Sequence, residues 1–362
     1  MNYNSIDFPP SNQYSFQSIF SWRIVQFTFW LVGAFILSCL FFFPSTGILL
    51  FWNILIPIAP VLFVVGLGIW RNVCPLATTI LFPRHLGLSK KKILTPAQSG
   101  KLNLIAVLLL FAIVPLRHAL FNASGFATGL LILAMAVLGI ILGLFFEWKS
   151  AWCSGLCPVH PVEKLYGINT IKSFPNAHCH QCMNCVKPCP DSTPNIHPQS
   201  ATKTFYHQIS GILITGGLPG FIWGWFHVPD EKNIGFEHTF WGIYGMPLAG
   251  LSVTLLLYLF LKTLLRSKYE RKLVGIFAAA GVSCYYWFRI PALFGFGKYS
   301  TDGLLVDLTQ IIPGWSIILS TIFISGFFFY WLVIRHANKM SWVIRPRFAK
   351  NQKTLIQKSE VE

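Results

Sequence analysis

The chain has 362 residues, of which 54% are hydrophobic and only 11% are charged. This composition excludes a soluble domain of the same length, so the sequence predicts an all-α integral membrane protein. The formal net charge of +16 is high enough for a nucleic-acid-binding protein. However, the basic residues flank apolar segments, and this placement argues against nucleic acid as a partner.

Eight apolar segments are long enough to cross a bilayer, which takes about 20 residues at a rise of about 1.5 Å each. They cover residues 24–43, 47–70, 102–116, 125–146, 205–226, 239–261, 273–288 and 304–334. The fifth segment is interrupted by Gly216, Gly217, Pro219 and Gly220, so a re-entrant or broken helix is an alternative there. We expect about eight transmembrane helices.

The positions of the basic residues predict the orientation of these helices. If the N-terminus is cytoplasmic and all eight segments cross, all but four of the 28 Lys and Arg residues fall on the inner side. The exceptions are Arg117, Lys232, Arg289 and Lys298. This pattern predicts a multi-pass membrane protein with both termini in the cytoplasm. The basic inner rim should attract the anionic headgroups of the lipid bilayer.

A Cys-Pro pair follows both the second and the fourth segment. Cys74-Pro75 and Cys157-Pro158 match when the two stretches are aligned, and Trp70 then falls where Cys153 stands. The first four helices therefore look like two helix-pair repeats, each of which brings a Cys-Pro pair to the cytoplasmic face. The alternative is that the proline simply follows a helix end, as it often does.

Four cysteines in one short run carry the strongest functional signal. Cys179, Cys182, Cys185 and Cys189, followed by Pro190, have the C-x2-C-x2-C-x3-C-P spacing with which bacterial-type ferredoxins bind a [4Fe-4S] cluster. Structural zinc sites usually have a longer spacer between their ligand pairs, and the reducing cytosol disfavours disulfides. The run therefore predicts at least one cluster and a role in electron transfer.

The complete ligand set is open. Either all four cysteines of the run bind one cluster, or the first three take a remote thiolate such as Cys157. Cys74, Cys153 and Cys157 are additional candidate ligands, and a second cluster would complete its set with an open iron or a histidine. The nearby histidines are His160, His178 and His180. Cys39 and Cys284 are expected to be small buried residues.

The arrangement resembles the membrane-bound [4Fe-4S] polyferredoxin family, typified by membrane iron–sulfur proteins of the NapH and NosR types. The resemblance covers residues 24–198 and consists of paired helices, Cys-x3-Cys-Pro ends and a ferredoxin-like cytoplasmic loop. The stretch from Cys153 to Pro158 matches that motif, whereas Trp70 replaces the first cysteine of the other copy, and one run stands where typical members have two. The resemblance implies a redox relay in the inner membrane.

Together these patterns predict five regions. They are a cytoplasmic segment 1–23, a four-helix membrane unit 24–146, a cytoplasmic iron–sulfur segment 147–204, a second four-helix membrane unit 205–334 and a basic cytoplasmic tail 335–362. Within the third region, residues 161–174 are expected to form a short helix at the membrane interface.

Polar residues at the helix ends give weaker signals. Histidines stand at both ends of the predicted helices, but the sequence has no haem-attachment motif and does not favour haem. These histidines are His118, His207, His227, His238 and His336. Arg289 and Asp307 are candidates for a quinone or proton site, since ionisable residues in a bilayer are often functional.

The sequence thus favours an electron-transfer component of the oxidoreductase type rather than a stand-alone enzyme. It would relay single electrons between a cytosolic donor, such as a ferredoxin or a dehydrogenase, and a membrane redox partner or quinone. One alternative is an assembly or anchor subunit of a respiratory complex with a structural cluster. Another, suggested by the interrupted fifth segment, is a transporter.

Overall fold

The computed structural model describes residues 16–147, 149–172, 174–175, 177, 204–229, 236–266, 269–299, 303–335 and 343–344. The described chain is helical almost throughout, and seven of its helices are long and apolar enough to cross a membrane. The prediction of an all-α, multi-pass membrane protein is therefore confirmed.

The helices follow one another along the chain with few interruptions. They are α1 (Phe16–Phe42), α2 (Pro44–Ile48), α3 (Ile56–Val73), α4 (Pro75–Ile80), α5 (Phe82–His85), α6 (Pro96–Leu116), α7 (Gly125–Phe145), α8 (His160–Tyr166), α9 (Phe205–Ile212), α10 (Leu218–Trp225), α11 (Phe236–Leu264), α12 (Glu270–Leu293) and α13 (Gly314–Phe329). π-helical turns lie at Leu49–Leu55, Arg117–Phe121, Trp152–Leu156, Leu213–Gly217 and Tyr330–Ile334, and a 3-10 turn lies at Gly167–Asn169. Two short strands, β1 (Phe174–Pro175) and β2 (Val343–Ile344), pair in parallel.

Local sequence explains where several helices begin. At α6, Thr95 and Gln98 form a capping box in which each side chain accepts the backbone N–H of the other, with Pro96 in the first turn. Ser124 and Thr204 each accept a backbone N–H at the starts of α7 and α9. The cap thus starts α6 well before its apolar segment, which begins at residue 102.

The fifth predicted segment forms a continuous helix instead of a re-entrant loop. α9, the π-helical turn after it and α10 run without a break. The glycines in this helix permit close packing on α11: a Cβ on Gly220 would lie 1.9 Å from Gly250 O, and a Cβ on Gly224 would lie 2.2 Å from Met246 O. The glycines therefore mark a helix–helix contact, not a break.

This fifth helix is not among the seven apolar spans, but it runs the height of the bundle beside α6. At one end a Cβ on Gly100, in the first turns of α6, would lie 2.9 Å from His207 Nδ1. At the other end Trp225 Nε1 donates to Val114 O at 3.1 Å. The glycine-rich helix therefore lies alongside α6 and is largely enclosed by the other helices.

The last predicted segment is shorter than expected. Residues 304–313 are not helical, and α13 begins at Gly314, directly after Pro313. The preceding stretch folds back on the end of α12, where Leu305 N and Val306 N both donate to Leu293 O. Its apolar composition alone suggested that it belongs to the span.

One hydrophobic core joins helices from both halves of the chain. It includes Phe63 and Val107 from the first half, and Phe221, Tyr286 and Phe328 from the second. α12 is the most enclosed span: 56% of its apolar window is buried, compared with 22% for α1 and for the span that contains α13. The two predicted four-helix units thus share one core, with α12 at its centre.

The stretch 160–172 enters the bundle instead of lying at the interface. Nearly all residues of α8 and of the 3-10 turn after it are buried. The extended backbone of Gly66 (φ −167°, ψ 75°) breaks α3 and frees the carbonyls of Val64 and Val65. These carbonyls accept the N–H groups of Ile171 and Lys172, each at 3.0 Å, so the non-helical backbone is hydrogen-bonded inside the bundle. The short helix that the sequence predicts at the membrane interface is therefore α8, and it is buried in the bundle.

Candidate functional site

Cys74 and Cys157 share one backbone conformation at two helix junctions. Cys74 has φ −57° and ψ 119°, and Cys157 has φ −60° and ψ 120°. The proline after each cysteine lacks an N–H and begins a new turn. In this conformation the N–H groups of Leu76 and Ala77 face the Cys74 sulfur, and the N–H of Val159 faces the Cys157 sulfur. Backbone donors aimed at sulfur favour a thiolate.

Cys153 lies with these two cysteines at the same end of the bundle. All three are partly buried, and Cys153 and Cys157 pack against a cluster formed by Ile80, Trp152 and Leu156. The Cys157 thiol is within electrostatic range of the other two thiols. We call this end of the bundle the cysteine end and the other the opposite end.

A buried polar network lies beside the three cysteines. Arg71 donates to Glu163 Oε2 at 2.5 Å and to Ser154 Oγ at 3.1 Å. Glu163 Oε1 accepts Trp70 Nε1–H at 3.0 Å, and His160 Nδ1 lies 3.1 Å from Glu163 Oε2. The network ties α3, which precedes the first Cys-Pro pair, to α8, which follows the second.

Burial and neighbouring charges determine the protonation of this network. Burial opposes the ionisation of Glu163, but the Arg71 guanidinium and the hydrogen bond from His160 outweigh it and lower the pKa of the carboxyl. Burial, together with the Lys164 charge, lowers the pKa of His160 to about 4. His160 is therefore neutral at pH 7. Its Nδ1 lies 3.1 Å from Glu163 Oε2 and 3.2 Å from Arg71 Nη1, and its buried Nε2 has no hydrogen-bond partner among the described residues.

Among the described residues, positive charge predominates in this network, which holds three cations and one carboxylate. Arg71 is 4% exposed and Lys149 is 1% exposed, and Lys149 Nζ donates to Arg71 O at 3.2 Å. Burial and the Arg71 charge lower the pKa of Lys164 to about 8. Burial and the Glu163 carboxylate raise the pKa of the Cys157 thiol. A thiolate or another anion bound here would balance the excess of positive charge.

The predicted cluster ligands fall into two groups. The following lie outside the described residues: Cys179, Cys182, Cys185, Cys189, His178 and His180. Cys74, Cys153 and Cys157 are described and lie near one another. Within the described part of the chain, no three His, Cys, Asp or Glu side chains are placed to bind one metal ion. The three described thiols therefore do not form a metal site by themselves.

The segment that contains the run leaves and rejoins the described chain at the cysteine end. Before it, Ala177 N donates to Asn72 Oδ1 at 3.1 Å, two residues from Cys74. After it, Thr204 caps α9 and lies against Gly100, in the first turns of α6. α6 also packs on the π-helical turn that holds Cys153. Both attachment points are thus close to the described cysteines.

The described histidines that the sequence singled out at the helix ends have protein partners. His118 Nε2 lies 3.0 Å from Trp225 O, and His227 Nδ1 lies 2.7 Å from Trp223 O. His207 Nδ1 lies 2.8 Å from Thr204 Oγ1. The side chains of His238 and His336 lie outside the described part.

Arg289 and Asp307 occupy very different environments. Arg289 is 1% exposed at the opposite end and donates to Asn53 Oδ1 at 2.7 Å. Asp307 is fully exposed, and its Oδ1 accepts from the backbone N and the hydroxyl of Thr309. These two hydrogen bonds lower the pKa of Asp307. Asp307 therefore stabilises a local turn, and only Arg289 remains a buried candidate.

Comparison with protein-family models, curated proteins and solved structures gives no match to this chain. Any assignment of function to this chain therefore depends on its own residues.

Sequence reasoning did not identify the polar network as part of the site. The sequence places Arg71 in the basic flank of a span, and Glu163 and Lys164 in a short helix expected at the membrane interface. A signal was available in the spacing, because Arg71 stands three residues before Cys74 and His160 three residues after Cys157. No sequence pattern singles out Tyr166, which lies at the end of α8 in the core.

Proposed function

We propose that this protein is a membrane-bound electron carrier that holds at least one [4Fe-4S] cluster at the cysteine end. The proposed ligands are Cys179, Cys182, Cys185 and Cys189. Cys74, Cys153 and Cys157 are proposed as further ligands, of that cluster or of a second one. A bound cluster would supply one-electron chemistry, which side chains at this end do not provide.

The observation that carries the proposal is where the run attaches. The run with ferredoxin-type spacing lies between Ala177 and Thr204. Both of these residues contact the end of the bundle that holds three more thiols. Three thiols at the end of the bundle where the run attaches, together with the four cysteines of the run, are more than packing requires. This grouping supports ligation over burial of isolated thiols.

The described residues fit an anionic cluster in their chemistry. A cubane held by cysteine thiolates carries negative charge, and the network beside Cys74 has Arg71, Lys149 and Lys164 against the single carboxylate Glu163. Backbone N–H groups face two of the sulfurs. Hydrogen bonds to sulfur and nearby positive charge both favour the more reduced, more negative state of such a group. These residues would therefore position the ligands and set the potential.

An acidic redox protein fits the surface at this end as the electron donor. Lys90, Lys91 and Lys92 are exposed, and their backbone is hydrogen-bonded to the end of α7, where Lys90 N donates to Leu144 O at 2.7 Å and Lys92 N to Phe145 O at 3.0 Å. A cluster of lysines attracts acidic proteins such as ferredoxins. In this proposal the cysteine end faces the cytoplasm of a bacterium, and the acceptor is a membrane partner or quinone.

Anaerobic purification tests the proposal directly. Iron and acid-labile sulfide are quantified per chain, and EPR spectra of the dithionite-reduced protein are recorded. We expect at least four irons per chain and the signal of a reduced cubane, consistent with ferredoxin-type ligation. Cys182→Ser should lose the signal, whereas Cys39→Ser, at a buried position in α1, should keep it. Colourless, iron-free wild-type protein would contradict the proposal.

The same variant separates electron transfer from a purely structural role of the cluster. If Cys182→Ser accumulates in the membrane but no longer passes electrons from reduced ferredoxin to a quinone analogue, a relay is supported. If Cys182→Ser leaves electron flux in membranes unchanged, the hypothesis of an assembly or anchor subunit is supported instead. The relay should also slow steeply as salt is raised, because docking on the lysines is electrostatic.

A further inference from the structure

Six buried polar atoms of the described residues have no hydrogen-bond partner there, and three of them lie at successive depths in the bundle. These three are His160 Nε2, the Tyr166 hydroxyl and the Tyr285 hydroxyl. Buried polar atoms are nearly always hydrogen-bonded, and where protein offers no partner an ordered water usually does. Each of these atoms therefore indicates a place for water inside a membrane protein.

Tyr166 stands halfway between the two ends. It is 1% exposed, and a Cβ on Gly281 would lie 3.1 Å from its hydroxyl oxygen. Gly281 is close to the middle of α12, which spans the bundle. Six residues separate Tyr166 from His160 along α8, which corresponds to about 9 Å. The buried helix thus extends polar atoms from the cysteine end to the centre of the membrane.

From Tyr166 the polar groups continue towards the opposite end. Tyr166 is within electrostatic range of Cys284, Tyr285 and Tyr286, and the rings of Tyr285 and Tyr286 have centroids 5.2 Å apart. The Tyr286 hydroxyl is fully occupied, because it donates to Pro57 O at 2.7 Å and accepts the Val61 N–H at 3.0 Å. The Tyr285 hydroxyl is the next one available to water.

Buried cations complete the line at the opposite end. Tyr285 is within electrostatic range of Arg289 and Arg117. Arg117 is 4% exposed and lies between the rings of Trp52 and Trp225, at 4.8 and 5.2 Å from their centroids. Polar side chains therefore run through the whole thickness of a core that is otherwise hydrocarbon, where ionisable groups are expensive and usually functional.

We propose that water molecules bridge these atoms and that the line from His160 through Tyr166 and Tyr285 to Arg289 conducts protons between the two ends of the bundle. Transfer at each tyrosine is concerted: the phenol gives its proton to water on one side while its oxygen takes a proton from water on the other side, so no free phenolate forms in the buried core. Each phenol ends as it began, and one proton leaves at one end for each that enters at the other.

Proteoliposomes that contain the full chain and a trapped pH-sensitive dye test this path. A potassium diffusion potential set up with valinomycin drives protons, and the rate of internal pH change is measured. Wild-type protein should exceed protein-free liposomes, and Tyr166→Phe and Tyr285→Phe should each fall to the protein-free rate. Tyr258→Phe is the matched control: its hydroxyl is also buried and unpartnered, but it packs in a separate cluster with Leu273 and Phe277.

A fourth variant guards against loss of fold. Gly281→Ala keeps every hydroxyl but introduces a methyl group against the Tyr166 oxygen, and it should also slow the flux. The proposal is overturned if wild-type liposomes are no faster than those with Tyr166→Phe, or if Tyr258→Phe loses as much flux while all variants elute as the same monodisperse species. The liposomes contain no electron donor, so the result is independent of the iron–sulfur proposal.

Discussion

Arg71 and Glu163 join α3 to α8 through an ion pair from which water is almost excluded. The two side chains are 4% and 7% exposed, and Arg71 Nη1 lies 2.5 Å from Glu163 Oε2. Removing one partner of such a pair leaves a buried charge without compensation, whereas removing both charges leaves none. The pair is therefore expected to matter more for specifying the position of α8 than for net stability.

Glu163→Gln should destabilise the fold by about 3 kcal/mol, because the Arg71 guanidinium then stays buried without a carboxylate. The double variant Arg71→Met with Glu163→Leu removes both charges at similar volume and should regain most of this loss. Chemical unfolding in detergent, followed by circular dichroism, measures both effects. As a control, Glu270→Gln breaks the half-exposed pair with Lys262, 3.3 Å long, and should cost less than about 1 kcal/mol. A double variant as unstable as the single one would contradict this account.

Cys74 and Cys157, which share a backbone conformation, should respond equally to substitution. If both serve as cluster ligands, as proposed above, Cys74→Ser and Cys157→Ser should lower the iron content and the visible absorbance by similar amounts. Cys39→Ser is the control, since Cys39 is buried in α1, outside the site. Iron per chain after anaerobic purification is the measurement. A loss confined to one of the two variants would show that the matching geometry does not reflect a matching role.

His160 should make the fold less stable as the pH falls from 7 to 5. Its folded pKa of about 4 lies below the ordinary value of 6.5, so the unfolded chain binds a proton in this range and the folded chain does not. The corresponding loss is about 2 kcal/mol between pH 7 and pH 5. Glu163, whose pKa is lowered from 4.5, contributes mainly below this window, and Lys164, with a pKa of about 8, contributes above it.

His160→Gln should therefore flatten the stability profile between pH 7 and pH 5. Unfolding midpoints in detergent at several pH values measure the slope for both proteins. The control is His85→Gln, which alters an exposed histidine and should leave the slope unchanged. A wild-type profile that is already flat in this window would rule out a neutral, buried His160.

The sequence predicted the membrane spans well because a bilayer imposes a simple rule on length and apolarity. It failed where packing decides. The glycines from Gly216 to Gly224 left a re-entrant or broken helix open as an alternative, whereas they form a contact surface on α11. Residues 304–313 are apolar but not helical. The extended backbone of Gly66 interrupts α3, so that the residues after α8 can bond to its free carbonyls. Composition does not predict this interruption.

The candidate site was predictable only where chemistry is encoded in local spacing. The run at residues 179–189 and the two Cys-Pro pairs carry that spacing, so they were identified directly. Arg71 meets Glu163, and Tyr166 reaches Gly281, through a buried turn of chain whose path depends on tertiary contacts. Sequence periodicity contains no information about such long-range contacts, and charged residues near a span are ordinarily assigned to its flanks.

Gly220 should be intolerant of a side chain, since α10 and α11 meet there backbone to backbone. A Cβ on Gly220 would lie 1.9 Å from Gly250 O, a separation that only a shift of one helix relieves. Gly220→Ala should therefore cost about 3 kcal/mol of stability through overpacking. The control is Gly242→Ala in α11, where no described atom lies within 4 Å of the added Cβ. It should leave stability unchanged or raise it by at most about 1 kcal/mol. Thermal unfolding of the two variants in the same detergent compares them, and equal losses would show that the close approach of α10 and α11 is not what the glycine provides.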